Sequence, residues 1–147
     1  MASNNGSSRL GPLGDTAALI LRIAIGVIFL AHGSQKLGLI PGGSVQSTVG
    51  FMGKMGIPWY LAYLNIAAEF GGGLGLIFGF LTRVAALGIV VSMIVAIAVV
   101  HLPNGFLMSN RGYEYPLALA AISLYFLAMG GGPYSIDRFI RFRPKRT

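Results

Sequence analysis

The sequence predicts an all-α integral membrane protein, a four-helix bundle with a short interfacial helix in its first loop. Only 10% of its residues are charged, against about a quarter in an ordinary soluble domain. Hydrophobic residues make up 54% of the chain, and the mean hydropathy is +0.72. Four apolar segments each approach the ~20 residues that an α-helix needs to cross a bilayer.

Polar loops rich in glycine and proline separate these segments and define the predicted organisation of the chain. In the first loop, Val45, Val49, Met52 and Met55 recur at helical spacing, which indicates a short amphipathic helix lying in the interface. We expect a flexible N-terminal tail at 1–14, a membrane domain at 15–137 with helices near 16–37, 60–81, 84–102 and 115–131, and a basic tail at 138–147.

The basic residues are unevenly distributed, and their positions predict the orientation of the chain. Five of the eleven lie in the last ten residues. In a four-span topology this cluster shares one side with Arg9 and Arg83. The other side carries Lys36, Lys54 and Arg111. The positive-inside rule then places both termini in the cytoplasm. The basic tail has no nucleic-acid-binding motif and is typical of a juxtamembrane anchor, so we expect membrane lipids and no nucleic acid as partners.

Titratable residues within the apolar segments are the candidate functional groups, because a charge at membrane depth is costly. A rise of ~1.5 Å per residue places one set near the outer ends of three helices, and Glu69 below them near the midplane. This carboxylate needs a partner, and either His32 or Arg22 lies within plausible reach. The predicted polar pocket consists of His32, Lys36, Glu69, His101 and Glu114.

Each of these groups also has a purely structural interpretation. Arg22 and Lys36 carry side chains long enough to reach the nearest interface. Glu114 is placed to stabilise the start of a helix, and the two histidines could make ordinary polar contacts. We assign Arg22 and Arg83 to structural ion pairs and leave the catalytic residues unassigned.

Two other kinds of site are not favoured by the sequence. His and carboxylate side chains are metal ligands, but no motif such as H-E-x-x-H fixes a geometry, so we predict no metal. The glycines of 69–79 lack the lysine of a phosphate loop. Gly71, Gly75 and Gly79 recur every fourth residue, which predicts a helix-packing face instead. The chain contains no cysteine, which excludes disulfides and a dithiol redox centre.

The motifs, taken in order, resemble those of the DoxX family of small four-helix bacterial membrane proteins. The resemblance covers about 19–137. It is carried by R-x-x-x-G-x-x-F-x-x-H-G-x-x-K-L at 22–37, A-E-F-G-G-G-L-G-L-x-x-G-x-x-T-R at 68–83, V-x-x-x-x-x-H-L-P-N-G-F at 95–106, G-Y-E-Y-P-L-A-L at 112–119 and G-G-G-P-Y-S-I-D at 130–137.

The resemblance implies a location in the bacterial inner membrane and a link to quinones. Members of the family have been associated with a thiosulfate:quinone oxidoreductase and with membrane complexes of oxidative stress. The expected function is therefore a quinone-handling subunit of a membrane oxidoreductase. The aromatic residues expected to contact the quinone ring are Phe29, Tyr63, Phe106, Tyr113 and Tyr115.

Because no haem or flavin motif is present, this function requires a redox partner. The expected protein partners are another membrane protein or redox subunit, or further copies of the chain in a homo-oligomer. Two alternatives remain open at the level of sequence. The chain could be a non-catalytic accessory subunit, in which the polar residues only specify the bundle. It could also be a small transporter or lipid carrier, since charges within the membrane also mark substrate paths.

Overall fold

The computed structural model describes residues 11–141, and the side chains of 11–140. Residues 1–10 of the predicted N-terminal tail and 142–147 of the predicted basic tail lie outside this part. All regular structure within it is helical, which confirms the predicted all-α membrane bundle. The helices are α1 (Gly11–Leu37), α2 (Val45–Lys54), α3 (Trp59–Phe78), α4 (Thr82–Ala96), α5 (Glu114–Met129) and α6 (Ile136–Arg141).

Four long helices form the body of the bundle. α1 packs mainly against α3, which also packs against α4, and α4 packs against α5. The contact between α1 and α5 is small. The buried apolar core consists of Ile25, Phe29, Leu76, Ala86, Ile89, Met93, Leu119 and Phe126. The outward faces are apolar as well: Ile20, Leu64 and Val84 are each more than 60% exposed. Such a surface suits lipid rather than water.

Three helical stretches are long and apolar enough to cross a membrane. They are α1 with 27 residues, α3 with 20, and the stretch Thr82–Asn104 with 23. The fourth, α5, is shorter, with 16 residues. α1 begins at Gly11 rather than at the predicted 16, so the last residues of the expected tail are helical. α6 likewise extends into the expected basic tail.

The seam between α1 and α3 is closed by glycines. A Cβ at Gly73 would lie 2.5 Å from the backbone nitrogen of Leu30, and one at Gly33 would lie 2.5 Å from that of Phe70. Neither position leaves room for a side chain.

Of the predicted packing stripe, Gly71 is exposed with nothing within 4 Å. A Cβ at Gly75 would lie 3.0 Å from that of Ala85 on α4, and one at Gly79 would lie 2.6 Å from that of Ser135. The stripe is therefore wrong at Gly71 and right at the other two glycines, which pack against segments other than α1.

Helix ends explain the departures from the predicted bounds. α3 stops at Phe78 because Gly79 adopts a left-handed conformation, with φ of 66°, that ends a helix. After Ala96 the chain continues as a π-helical turn, Ile97–His101, and a 3₁₀ turn, Leu102–Asn104. π turns widen a helix locally and are frequent at functional sites. The predicted short helix in the first loop is present as α2, opened by a capping box of Ser44 and Ser47.

Candidate functional site

A cavity of about 680 Å³ lies inside one end of the bundle. All four long helices line it, α2 covers it, and the loop between α4 and α5 completes its wall. Its apolar walls include Phe29, Tyr115 and Leu119. Its polar lining consists of His32, Gln35, Lys36, Ser47, Thr48, Asn65, Glu69, Ser92, His101 and Arg111. We call this half of the molecule the cavity end.

An ion pair joins α1 to α3 in the wall of this cavity. Lys36, in the last turn of α1, places its Nζ 2.5 Å from Oε1 of Glu69, which lies in the middle of α3. The Glu69 side chain is only 4% exposed, whereas that of Lys36 is 29% exposed. The partner of the buried carboxylate is therefore Lys36, one turn beyond the expected His32. A partner is needed because an isolated buried charge is strongly unfavourable.

A short hydrogen-bonded chain extends from this ion pair to α4. Lys36 Nζ also donates to Oδ1 of Asn65 at 2.7 Å. Asn65 Nδ2 in turn donates to the hydroxyl oxygen of Ser92 at 3.0 Å. Asn65 precedes Glu69 by four residues, so both side chains project from the same face of α3. Three helices thus share one continuous polar network along the cavity wall.

One oxygen of this network lacks a hydrogen-bond partner. Glu69 Oε2 is buried and accepts no hydrogen bond from any residue in the described part of the chain. An unsatisfied buried acceptor costs about 1–3 kcal/mol, more when it is charged. Glu69 lines the cavity through its other atoms, because this oxygen is itself enclosed by the protein.

His101 lies on the opposite wall, at the end of the π turn. Its Nδ1 is 2.7 Å from the backbone oxygen of Arg111. A carbonyl oxygen only accepts, so we assign the proton to Nδ1, and the neutral ring then carries its free lone pair on Nε2. His32 also lines the cavity, one turn before Lys36 on α1, and has no hydrogen bond to the residues that the structure describes.

The comparisons with known proteins agree with this architecture. A family model described as DoxX matches residues 17–102, more than half of the chain. The chain belongs to the DoxX family. No solved structure matches it.

Curated relatives of this DoxX protein extend over nearly its whole length. A Bacillus subtilis (strain 168) protein named "Putative oxidoreductase CatD" is 32% identical over 90% of this chain and 92% of its own. The Escherichia coli (strain K12) "Inner membrane protein YqjF" is 31% identical over 87% of this chain and 95% of its own. An uncharacterized membrane protein of Mycobacterium tuberculosis (strain ATCC 25618 / H37Rv) is 32% identical over 85% of this chain and 82% of its own.

Four of the five residues of the predicted polar pocket line the cavity of the DoxX protein: His32, Lys36, Glu69 and His101. Glu114 does not line it. It starts α5, and its backbone nitrogen bonds to the carbonyl of Phe106 in the preceding loop. The prediction that Glu114 belongs to the pocket is therefore wrong. Residues at the same depth along the bundle axis can point in different directions around their helices.

Two of the five aromatic residues expected around a ring, Phe29 and Tyr115, line the cavity. The other three do not. Tyr63 lies two residues before Asn65, about 200° away around α3, and it stacks edge-to-face on Trp59 at the surface. Phe106 and Tyr113 stack on each other within the loop before α5.

Arg22 and Arg83 lie at the other end of the bundle. Arg22 is 1% exposed, and its Nη2 donates to the backbone oxygen of Tyr134 at 2.6 Å. The carboxylate of Asp137 acts on it electrostatically. Arg83 donates to the backbone oxygen of Ala128 at 3.0 Å. Both arginines thus donate to backbone carbonyls beyond or near the end of α5, and the ion pairs expected of them stay a prediction.

Asn65 and Ser92 are the site residues that sequence reasoning missed. Both are uncharged, and single polar residues in apolar helices are common. Asn65 could have been found by its spacing, since it stands one turn before Glu69 on the same helix face. Ser92 carries no comparable signal, because its role depends on how α4 packs against α3.

Proposed function

We propose that this DoxX protein binds a quinone, in its oxidised and reduced forms, and serves as the quinone-handling subunit of a membrane oxidoreductase. The observation that carries the proposal is the ion pair of Lys36 with the buried side chain of Glu69 in the wall of a mainly apolar cavity. The relative named as an oxidoreductase is consistent with it.

The cavity fits this class of ligand in size and chemistry. Its volume of about 680 Å³ falls within the ~300–1,000 Å³ typical of small-molecule sites. Phe29, Tyr115 and Leu119 offer apolar contacts to a ring, while the ion pair and His101 offer polar groups to its oxygens. A membrane-embedded site of this kind suits a ligand that is itself dissolved in the lipid.

The residues of the cavity are suited to handle protons. Lys36, Glu69 and His101 are side chains that can hold or release a proton close to a bound ligand. A quinone supplies two-electron chemistry when bound, and the chain has no cysteine for such chemistry. The electrons therefore come from, or go to, a redox subunit packed against this protein in the membrane.

The proposed topology has four membrane spans, with both termini in the cytoplasm and the cavity end toward the outer face of the bacterial inner membrane. The charge distribution that predicts this orientation stands unchanged, and a relative is named as an inner membrane protein. Membrane lipids surround the exposed apolar faces of α1, α3 and α4.

Binding of decyl-ubiquinone to the purified protein in detergent tests the proposal by isothermal titration calorimetry. Ala96 lines the cavity, so Ala96→Phe should fill part of it and weaken binding about ten-fold, or ~1.4 kcal/mol. Ala98, on the same helical stretch, is exposed and does not line the cavity. Ala98→Phe is the matched control and should bind as the unmodified protein does.

Absence of quinone binding in the unmodified protein would overturn the proposal. So would equal binding by Ala96→Phe and the unmodified protein, because the quinone would then occupy another place. A protein that binds no quinone but still assembles with a larger membrane complex would have the accessory role instead.

A further inference from the structure

We propose that Lys36 is the residue that holds a ligand oxygen in the cavity and that Glu69 acts only through Lys36, an inference that rests on the proposed function. The geometry that points to it is an ion pair whose two members differ in access. Both residues line the cavity. The Lys36 side chain is 29% exposed, whereas that of Glu69 is 4% exposed. The accessible member of the pair is therefore the lysine.

Neither oxygen of Glu69 is placed to bind a ligand. Oε1 accepts the hydrogen bond from Lys36 Nζ, and Oε2 is enclosed by the protein. What the carboxylate does is hold the ammonium group at one place in a mainly apolar wall. A lysine carries its charge on a flexible stem, so an unpaired ammonium group would not be held there. Glu69 is therefore a positioning residue, and Lys36 is the group that it positions.

The wall beside Glu69 keeps donor protons that no described residue uses. An ammonium group carries three protons, and Lys36 Nζ gives two hydrogen bonds, to Glu69 and to Asn65. The amide nitrogen of Asn65 carries two protons and gives one bond, to the hydroxyl of Ser92. That hydroxyl donates to no other residue in the described part of the chain. Spare donors on α1, α3 and α4 thus lie side by side along one wall of the cavity.

A row of donors suits a ligand oxygen that accepts hydrogen bonds. The carbonyl oxygen of a quinone accepts, and so does the hydroxyl oxygen of a hydroquinone, so this contact serves both forms. A hydrogen bond from a charged donor is roughly twice as strong as one between neutral groups. Lys36 is therefore the strongest donor of the row. Phe29 and Leu119 supply apolar wall near it, against which the ring lies with one oxygen directed at Lys36.

Binding of decyl-ubiquinone to three variants, measured by isothermal titration calorimetry, separates the two roles. Lys36→Met/Glu69→Gln removes the ammonium group without leaving a buried carboxylate unpaired, and should weaken binding about ten-fold. Glu69→Gln keeps the ammonium group and a side-chain carbonyl to hold it, so the loss should be only about three-fold. Lys54→Met is the matched control. Lys54 is exposed on α2 and does not line the cavity, so its loss should leave the affinity unchanged.

Infrared spectroscopy reports the contact itself, independently of the affinity. The carbonyl groups of decyl-ubiquinone are isotope-labelled, and their stretching bands are compared between the bound ligand and the ligand dissolved in detergent. A hydrogen bond from an ammonium group weakens the C=O bond, so one carbonyl band should move to lower wavenumber in the unmodified protein. The shift should persist in Glu69→Gln and disappear in the double variant. A purely structural role of the ion pair would alter the affinity without altering this shift.

Two results would overturn the inference and leave the proposed function standing. One is an unshifted carbonyl band for quinone bound to the unmodified protein, which decides the matter even where a variant does not fold. The other is an equal loss of affinity in Glu69→Gln and in the double variant, which would assign the contact to Glu69. If the unmodified protein bound no decyl-ubiquinone, the inference and the proposed function would both fall.

Discussion

The two ends of the bundle each bury a charge, but in different surroundings. At the cavity end, Glu69 faces a cavity and keeps one oxygen without a partner in the described chain. At the other end, which we call the arginine end, Arg22 is enclosed by chain rather than by open space. Its Nη2 donates to the carbonyl of Tyr134, whereas its Nε and Nη1 are buried without a partner among the described residues. A Cβ at Gly79 would overlap Nη1.

The arginine end also ties distant segments together. Asp137 accepts hydrogen bonds from the backbone nitrogens of Leu81 at 2.7 Å and Thr82 at 2.8 Å, and so caps the start of α4 from another helix. Its own backbone nitrogen donates to the carbonyl of Gly79. The difference teaches that a buried charge alone does not mark a functional site. Unmet hydrogen bonds occur at both ends, so the charge that lines a cavity is the stronger indicator.

The largest expected loss of stability comes from forcing α1 and α3 apart. Both ends of the bundle depend on the seam between these two helices. Gly73→Ala places a methyl group 2.5 Å from the backbone nitrogen of Leu30, so the helices must move apart. We expect a loss of about 3 kcal/mol in the free energy of unfolding, measured by SDS titration of the purified protein in detergent micelles.

Gly71→Ala is the matched control for this change, two residues earlier on the same helix. Nothing lies within 4 Å of its added methyl group, and alanine is the better helix former by up to ~1 kcal/mol. Its stability should stay level or rise. Equal losses in the two variants would show that the seam is not the tight contact that the structure describes.

The same glycines show how far sequence reasoning reaches. Apolar length predicted the helical segments well, because hydrophobic runs and helix-ending glycines act locally. The glycine-rich segment predicted close packing, but a run of three glycines leaves the packing face undecided. Gly71, Gly72 and Gly73 point in directions about 100° apart. Only the position of α1 selects Gly73.

The candidate site was likewise predictable from the sequence only in part. Lys36 and Glu69 were identifiable because charges in apolar helices are costly and therefore conspicuous. Their pairing was not, since it depends on the rotation of α1 against α3. Glu114 and Tyr63 were misplaced because depth along the bundle axis was known from sequence while direction around each helix was not. Directions are set by packing between segments distant in the chain.

The next largest loss of stability is expected at the arginine end, and it distinguishes the buried charge there from the one at the cavity end. Arg22→Met leaves the carbonyl of Tyr134 without its donor and removes the cation beside Asp137. We expect a loss of about 2 kcal/mol in unfolding free energy. The double variant Lys36→Met/Glu69→Gln replaces the partly exposed pair of the cavity end by neutral groups, which is often close to neutral in stability. SDS titration measures both.

A single Lys36→Met substitution serves as the control for this comparison. It leaves the buried carboxylate of Glu69 without its cation, so it should destabilise the protein more than the double variant does. If the double variant were as unstable as Arg22→Met, the two ends would not differ in the way proposed.

The smallest effect is expected at the cap that α6 provides to α4. Asp137→Asn keeps one acceptor but turns an NH₂ group toward the second backbone nitrogen, so one of the two capping bonds to Leu81 and Thr82 is lost. The cost should be about 1 kcal/mol. Hydrogen exchange should speed up at the first turn of α4 and not at the first turn of α5. Because the change lies at the arginine end, quinone affinity should stay the same, and a weakened affinity would mean that the two ends are coupled.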